Sequence, residues 1–273
     1  MILDGKKLRD ELLISYKEKI SKDNLSITLA IILVGDDEAS KLYIKNKEKY
    51  CSMVGINVIK YLLPKETSEE ELMTLIKKLN EKEEVTGIIL QSPVPSNIDF
   101  DKCSGLIKAS KDVDGFTKEN VYNLYLNKKS ILPCTVKGII RLLDSYNILL
   151  RGKDVVIIGR GNIVGKPLAM ALENRNATVS LLHSKTKDII KYTKNADIVV
   201  SACGVPKLLK RDMIKQGAVV IDVGISRTDT GIIGDIDFES IKDVASYVTP
   251  NPGGVGPMTV AMIIDNLIEM SEV

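Results

Sequence analysis

DVVIIGRGNIVGKP, residues 154–167, runs an apolar strand into a turn carrying Gly159, Gly161 and Gly165, and then into a helix. A dinucleotide site needs that order. Small residues let the backbone approach a pyrophosphate, which then rests on the free N–H groups of a helix N-terminus. The spacing is G-x-G-x-x-x-G, one residue longer than the common pattern, so the strand–turn–helix context carries the reading. The next strand, ATVSLL (177–182), ends in HSKT, with no carboxylate to hold a ribose 2′-hydroxyl. Ser184 and Arg160 offer a hydroxyl and a guanidinium instead. Those groups suit a 2′-phosphate through charge-assisted hydrogen bonds, and they favour NADP over NAD. His183 reads as a structural or solvent-exposed imidazole.

Outward from this turn, strand-like runs alternate with helical patterns. ADIVVSA (196–202) and GAVVIDVG (217–224) continue the series towards the C-terminus. An earlier series consists of ITLAIILV (27–34), INVIKYLL (56–63) and TGIILQ (86–91). Between its strands lie a helix from about Asp37 and SEEELMTLIKKLN (68–80), whose acidic first turn suits a helix dipole. Such βαβ units imply mainly parallel sheets. Helical segments near 118–126 and 135–147, interrupted by ILPCT, mark the hinge. The expected fold is a two-domain α/β protein. Its N-terminal domain covers 1–120 and a Rossmann-like domain covers 121–256. The apolar final helix, within 257–273, returns to the first domain.

Composition narrows the function classes. The chain has 273 residues, 44% of them hydrophobic, enough for a substantial core. Its 38 basic and 36 acidic side chains give a formal charge of +2, with no basic block to attract nucleic acid or a membrane surface. No signal-peptide core or membrane-length apolar run occurs. Cysteines 51, 103, 134 and 203 form no C-x-x-C pair and there is one histidine, so no metal site is expected. Widely spaced thiols fit a reducing, cytoplasmic setting.

SKLYIKNKEKY (40–50) holds four lysines. At about 100° per residue, Ala39, Lys47, Tyr50 and Val54 fall within roughly 40° of Tyr43, whereas Lys41 and Lys45 fall roughly 160° away and Lys49 roughly 120°. Three lysines therefore share a wet side. Lys47 either snorkels its ammonium to the rim or serves as a partly desolvated proton carrier. QSPVP places Gln91 at a strand end, where ligands gather in α/β sheets. KDVDGF offers Asp112 and Asp114, as carboxylates for an aminopyrimidine edge or as an Asx-type turn before Gly115. TPNPGGVGPMT (249–259) reads as a plain loop or as a rigid wall against a flat ligand.

Together these segments resemble the bifunctional methylenetetrahydrofolate dehydrogenase/cyclohydrolase family over essentially the whole chain. VGDDEASKLYIKNKEKYCSMVGI and TPNPGGVGPMT resemble two family signatures. QSPVP, KDVDGF, PCT, GRGNIVGKP, HSKT, ADIVVSACGVP and IDVGI stand between them in family order. The resemblance implies a folate-binding first domain, an NADP-binding second domain, and a homodimer formed through the latter. It implies oxidation of 5,10-methylenetetrahydrofolate to the methenyl compound with NADP+, then hydrolysis to 10-formyltetrahydrofolate. Carried over from it, Lys47 moves the protons of hydrolysis, Gln91 hydrogen-bonds Lys47, Tyr43 orients the folate ring and Asp114 anchors the pterin amino edge. Pro252, Gly253 and Thr259 line the folate pocket, and Gly159, Arg160, Gly161, Ser184 and Ile225 contact the cofactor. The chain departs from the family pattern at Ser92 and Val94 (usually leucines), Val136 (proline), Gly161 (serine) and Asn251 (valine).

Rival readings are a dehydrogenase with weak or no cyclohydrolase activity and a non-catalytic NADP-binding regulator. A third is a dehydrogenase for a keto acid or shikimate-like substrate. Intact Lys47 and Gln91 argue against the first, intact Tyr43, Lys47, Gln91 and Asp114 against the second, and QSPVP and KDVDG supply no compact anion site for the third.

Overall fold

Helix α1 (Gly5–Lys22) leads into β1 (Thr28–Val34), every residue of which is buried. Only a strand covered on both faces uses such an unbroken apolar run. Helix α2 (Glu38–Val54) follows, opened by Asp37, whose carboxylate accepts the Ser40 N–H, and closed by Gly55 at φ 93°. Next come β2 (Asn57–Leu63), α3 (Glu69–Glu81) with its Ser68–Glu71 capping box, and β3 (Gly87–Leu90). The strands form a parallel sheet of order β2-β1-β3. On one face Ala30, Ile32 and Val34 pack with Leu72, Ile76 and Leu79 of α3. Short helix α4 (Phe100–Ser104), a 3₁₀ turn at Ala109–Lys111, α5 (Lys118–Tyr125) and α6 (Cys134–Ser145) follow.

The second sheet begins with β4 (Asp154–Ile158), α7 (Gly165–Glu173), β5 (Thr178–Leu182), α8 (Ile190–Thr193), β6 (Ile198–Ser201) and β7 (Val219–Asp222). A hairpin of β8 (Ser226–Thr228) and β9 (Gly231–Ile233), α9 (Phe238–Ile241), β10 (Tyr247–Val248) and α10 (Val255–Ser271) complete the chain. The sheet is parallel, in the order β10-β7-β6-β4-β5. From β4 the chain turns to β5 on one side and later to β6 on the other. That reversal opens a crevice at the C-terminal ends of β4 and β6, where doubly wound sheets take their ligands.

The computed structural model describes residues 1–228 and 231–272. The chain divides into two compact units, Met1–Arg9 with Thr135–Thr259, and Asp10–Cys134 with Val260–Val273. The first is called here the β4 unit and the second the β1 unit. The two-domain α/β class with parallel sheets agrees with the sequence reading. The hairpin and β10 were not anticipated, because strands of two or three residues leave no readable alternation. Among the described residues no helix is long and apolar enough to cross a membrane, and no cluster of His, Cys, Asp and Glu could hold a metal ion.

Candidate active site

In the β1 unit the site grows from α2. The helix buries Ser40, Ile44, Cys51 and Val54, a stripe centred roughly 60° from Tyr43. Lys47 lies inside that stripe and is half-buried, whereas Tyr43 keeps 47% of its surface exposed at the margin. The inward face is therefore not the one centred on Tyr43. Lys41, Lys45 and Lys49 are exposed as expected. Cys51, one turn beyond Lys47, is pushed up to about 12 by burial, with the Lys47 charge opposing, and is an inert thiol.

Lys47 Nζ donates to Gln91 Oε1 at 3.0 Å. Gln91 Nε2 donates to the Ser92 carbonyl at 2.8 Å, so the amide must turn its oxygen to the lysine. Gln91 directly follows β3, and its backbone N–H continues the ladder to Ile32 O. An ammonium that gives one proton to Gln91 keeps two for a ligand.

Asp114 completes this group. Burial holds its carboxyl above the usual range, the Lys47 charge draws it down, and Asp112 raises it further. The two aspartates part company in the structure. Asp112 is buried and accepts the N–H groups of Gly115 (3.0 Å) and Thr117 (2.7 Å) and the Asn120 amide (3.1 Å). It is a turn-former, while Asp114 makes none of these bonds. Asn266, wholly buried in α10, donates to Val113 O at 2.9 Å and Leu132 O at 3.0 Å. It pins the backbone on which Asp114 stands. Sequence reasoning missed it, although an asparagine inside the apolar run MTVAMIIDNLIEM was the available signal.

In the β4 unit the glycine turn closes tightly. Gly159 has φ 113°, and a Cβ there would lie 2.3 Å from Ala202 O. A Cβ on Gly165 would lie 2.0 Å from Gly159 O, so this glycine lets α7 dock against the strand end. Gly161 has no atom within 4 Å of its Cβ position. Two glycines are thus packing requirements, and the third leaves open space over an exposed loop. Ile158 pairs with Leu182, so Arg160 and Ser184 each lie two residues past matched positions on neighbouring strands. Both are exposed. His183 is a turn-former, its Nδ1 accepting the Lys185 N–H at 3.1 Å and its own N–H donating to Thr186 Oγ1 at 3.1 Å. Ile225, beyond β7, is 52% exposed and presents an apolar surface. An open glycine turn at a helix start, a guanidinium, a hydroxyl and an apolar wall are the groups a phosphorylated dinucleotide needs.

Pro252, Gly253 and Thr259 also belong to the β4 unit. Gly253 O accepts the Lys6 N–H at 2.9 Å, and Thr259 and Thr135 share a hydroxyl contact of 3.2 Å. Asn251 donates to Gly224 O at 2.7 Å, tying this loop to the turn after β7. Behind that turn, burial pushes Asp222 up to about 6, with the N–H groups of Asp235 and Ile236 pulling it down, Asp235 raising it and Asn251 lowering it. A carboxyl raised on folding is without penalty below its unfolded value, and its stabilising contribution is lost as pH rises through the folded value. Relative to Asp222→Asn, the wild type should therefore lose about 2–3 kcal/mol of unfolding free energy between pH 4 and pH 7.5. Urea midpoints at the two pH values check this; an unchanged difference refutes it.

The family model for the tetrahydrofolate dehydrogenase/cyclohydrolase catalytic domain matches residues 3–114, and the model for its NAD(P)-binding domain matches residues 133–273. The chain belongs to the tetrahydrofolate dehydrogenase/cyclohydrolase family. Bifunctional protein FolD of Aquifex aeolicus is 50% identical to it, over 98% of this chain and 94% of the relative. The protein of the same name from Hydrogenobaculum sp. is 49% identical, over 98% and 97%. The crystal structure of FolD from Campylobacter jejuni superposes with a TM-score of 0.97 at 45% identity, covering 100% of this chain and 98% of that one. That of Trypanosoma brucei FolD, complexed with NADP cofactor and an inhibitor, gives 0.94 at 34% identity, covering 100% and 97%. The family's two domains thus run through the two parallel sheets described above.

Proposed function

We propose that this protein oxidises 5,10-methylenetetrahydrofolate to 5,10-methenyltetrahydrofolate with NADP+, and hydrolyses the product to 10-formyltetrahydrofolate. Family membership supports the reaction pair. The observation that carries both activities, rather than dehydrogenation alone, is the 3.0 Å bond from Lys47 to a Gln91 amide of fixed orientation.

The residue roles follow from the chemistry. The bound nicotinamide supplies a hydride acceptor. The methylene carbon lies between two nitrogens whose lone pairs stabilise the cation left behind, so the chain's task in that step is to position the substrate. Tyr43 presents a ring face to the folate, and Asp114 accepts N–H groups of the pterin amino edge. Hydrolysis needs protons moved. Lys47 relays them between the attacking water and the ring nitrogen that leaves, while Gln91 holds the amine in place. Pro252, Gly253 and Thr259 line the folate pocket. Gly159, Arg160, Gly161, Ser184 and Ile225 hold the dinucleotide, Arg160 and Ser184 meeting its 2′-phosphate.

The finer organisation belongs to the same reading. The folate domain spans 1–120 joined by residues 257–273, which hold most of α10, and the cofactor domain spans 121–256. The protein acts in the cytoplasm as a homodimer formed through the cofactor domain.

An absorbance assay with methylenetetrahydrofolate tests the reading, run in parallel with NADP+ and NAD+. Methenyl absorbance should rise faster with NADP+ and then decay. A rise without decay removes the cyclohydrolase activity, and no rise removes the reading. Arg160→Ala should raise KM for NADP+ at least about tenfold, as expected for losing a charge-assisted bond, and barely change KM for NAD+. Equal increases would refute the 2′-phosphate contact.

A further inference from the structure

Two carboxylates outside the proposed chemistry lie at the C-terminal edge of the second sheet. Asp222, the last residue of β7, is 4% exposed, and Asp235, just beyond β9, is fully buried. Asp235 Oδ2 accepts the Ser201 hydroxyl (3.0 Å), the N–H groups of Cys203 (2.8 Å) and Gly204 (3.2 Å), and the Cys203 thiol (3.3 Å). Its other oxygen, Oδ1, is buried without a hydrogen-bond partner. That oxygen lies against Gly224, where an added Cβ would come within 1.9 Å of it. Asp222 carries Asp235 from behind, accepting the N–H of Asp235 at 2.9 Å and of Ile236 at 3.3 Å.

A buried carboxylate oxygen without a partner is costly, and a fold organised only for stability would replace it with an apolar or neutral side chain. Its placement gives a reason for retaining it. One side chain grips the loop that leaves β6, at 202–204, and abuts the turn that leaves β7, at 223–225. Both follow strand ends on the β6–β7 side of the crevice. The adenosine ribose of a dinucleotide belongs at the opposite side, beyond β5, and the pyrophosphate at the glycine turn beyond β4. The nicotinamide half therefore falls to the two loops that Asp235 joins.

We propose that Asp235 is a positioning residue for the nicotinamide half of the dinucleotide, acting through the loops 202–204 and 223–225. The inference rests on the proposed NADP dependence. It separates two halves of one ligand: Arg160 and Ser184 select the adenosine 2′-phosphate, and Asp235 sets the affinity for the rest.

Calorimetric titration of the full-length protein tests it, with NADP+ and with adenosine 2′,5′-bisphosphate, which carries the adenosine half alone. Asp235→Ala should weaken NADP+ and NAD+ by the same factor, about tenfold, and leave the bisphosphate within about twofold. Asp235→Asn keeps an oxygen for the Cys203 and Gly204 N–H groups and should hold NADP+ within about threefold. Cofactor-free hydrolysis of the methenyl compound should stay within about twofold in both variants. Equal weakening of both ligands, or none, overturns the proposal. If Asp235→Ala does not fold, Gly224→Ala displaces the same carboxylate from its Oδ1 side, and the same split between the two ligands decides. Wild-type protein that binds the bisphosphate but not NADP+ overturns the NADP reading itself, a result distinct from a wild type that binds both and an alanine variant that does too.

Discussion

Lys47→Met stops hydrolysis of methenyltetrahydrofolate and spares hydride transfer. The expected loss is about 10²–10⁴-fold in the first reaction, the usual contribution of a positioned proton carrier, and less than about tenfold in the second. Methionine matches the length of the lysine stem and joins Ile44, Cys51 and Val54 on the buried stripe of α2, so the fold should not suffer. The substitution removes the donor to Gln91 Oε1 and the charge that draws the Asp114 carboxyl down, so the hydride step is affected only through folate positioning. The two rates are read separately, by decay of methenyl absorbance and by NADPH formation. A variant that hydrolyses the methenyl compound at near wild-type rate removes Lys47 from the mechanism.

The other large effect is at the glycine turn. Gly159→Ala forces a Cβ into Ala202 O at 2.3 Å and holds alanine at φ 113°. Neither strain can relax through a side chain, because the obstacle is backbone that belongs to the β4–β6 ladder, with Ala202 N–H bonded to Ile158 O at 2.8 Å. The expected cost is about 2–4 kcal/mol of stability, from overpacking together with backbone strain, and loss of tight NADP+ binding. Gly161→Ala, two residues on, meets nothing within 4 Å and should stay within about 0.5 kcal/mol of wild type. Thermal unfolding and NADP+ titration of the pair decide the matter. Equal damage at both positions would mean that the strand-end packing account is wrong.

The same contrast runs through the rest of the site. Lys47 was separable from Lys41, Lys45 and Lys49 by helical phase alone, since 3.6 residues per turn assign a face to each position before any packing is known. The phase of the buried stripe was not available in that way. Ile44, Cys51 and Val54 outweigh Tyr43, and the sheet that α2 covers selects the direction, so Tyr43 stays at the margin. Asp112 and Asp114 are chemically identical in KDVDGF and two residues apart. Only the three donors gathered by the turn and by Asn120 mark Asp112 as structural and leave Asp114 beside the lysine charge.

Local pattern determined the elements of this chain: unbroken apolar runs for covered strands, capped amphipathic stretches for helices, and glycines where strand meets helix. It also determined the chemical types present at each strand end, and hence the family with its dinucleotide-binding domain. Tertiary structure decided what depends on residues far apart in sequence. Asn266 holds Val113, which lies 153 positions away, and Asp235 holds Ser201 and Gly204 across a hairpin too short to leave a pattern. Such partners carry no local periodicity, because their reason for being polar is an unpaired backbone group that folding alone brings to them.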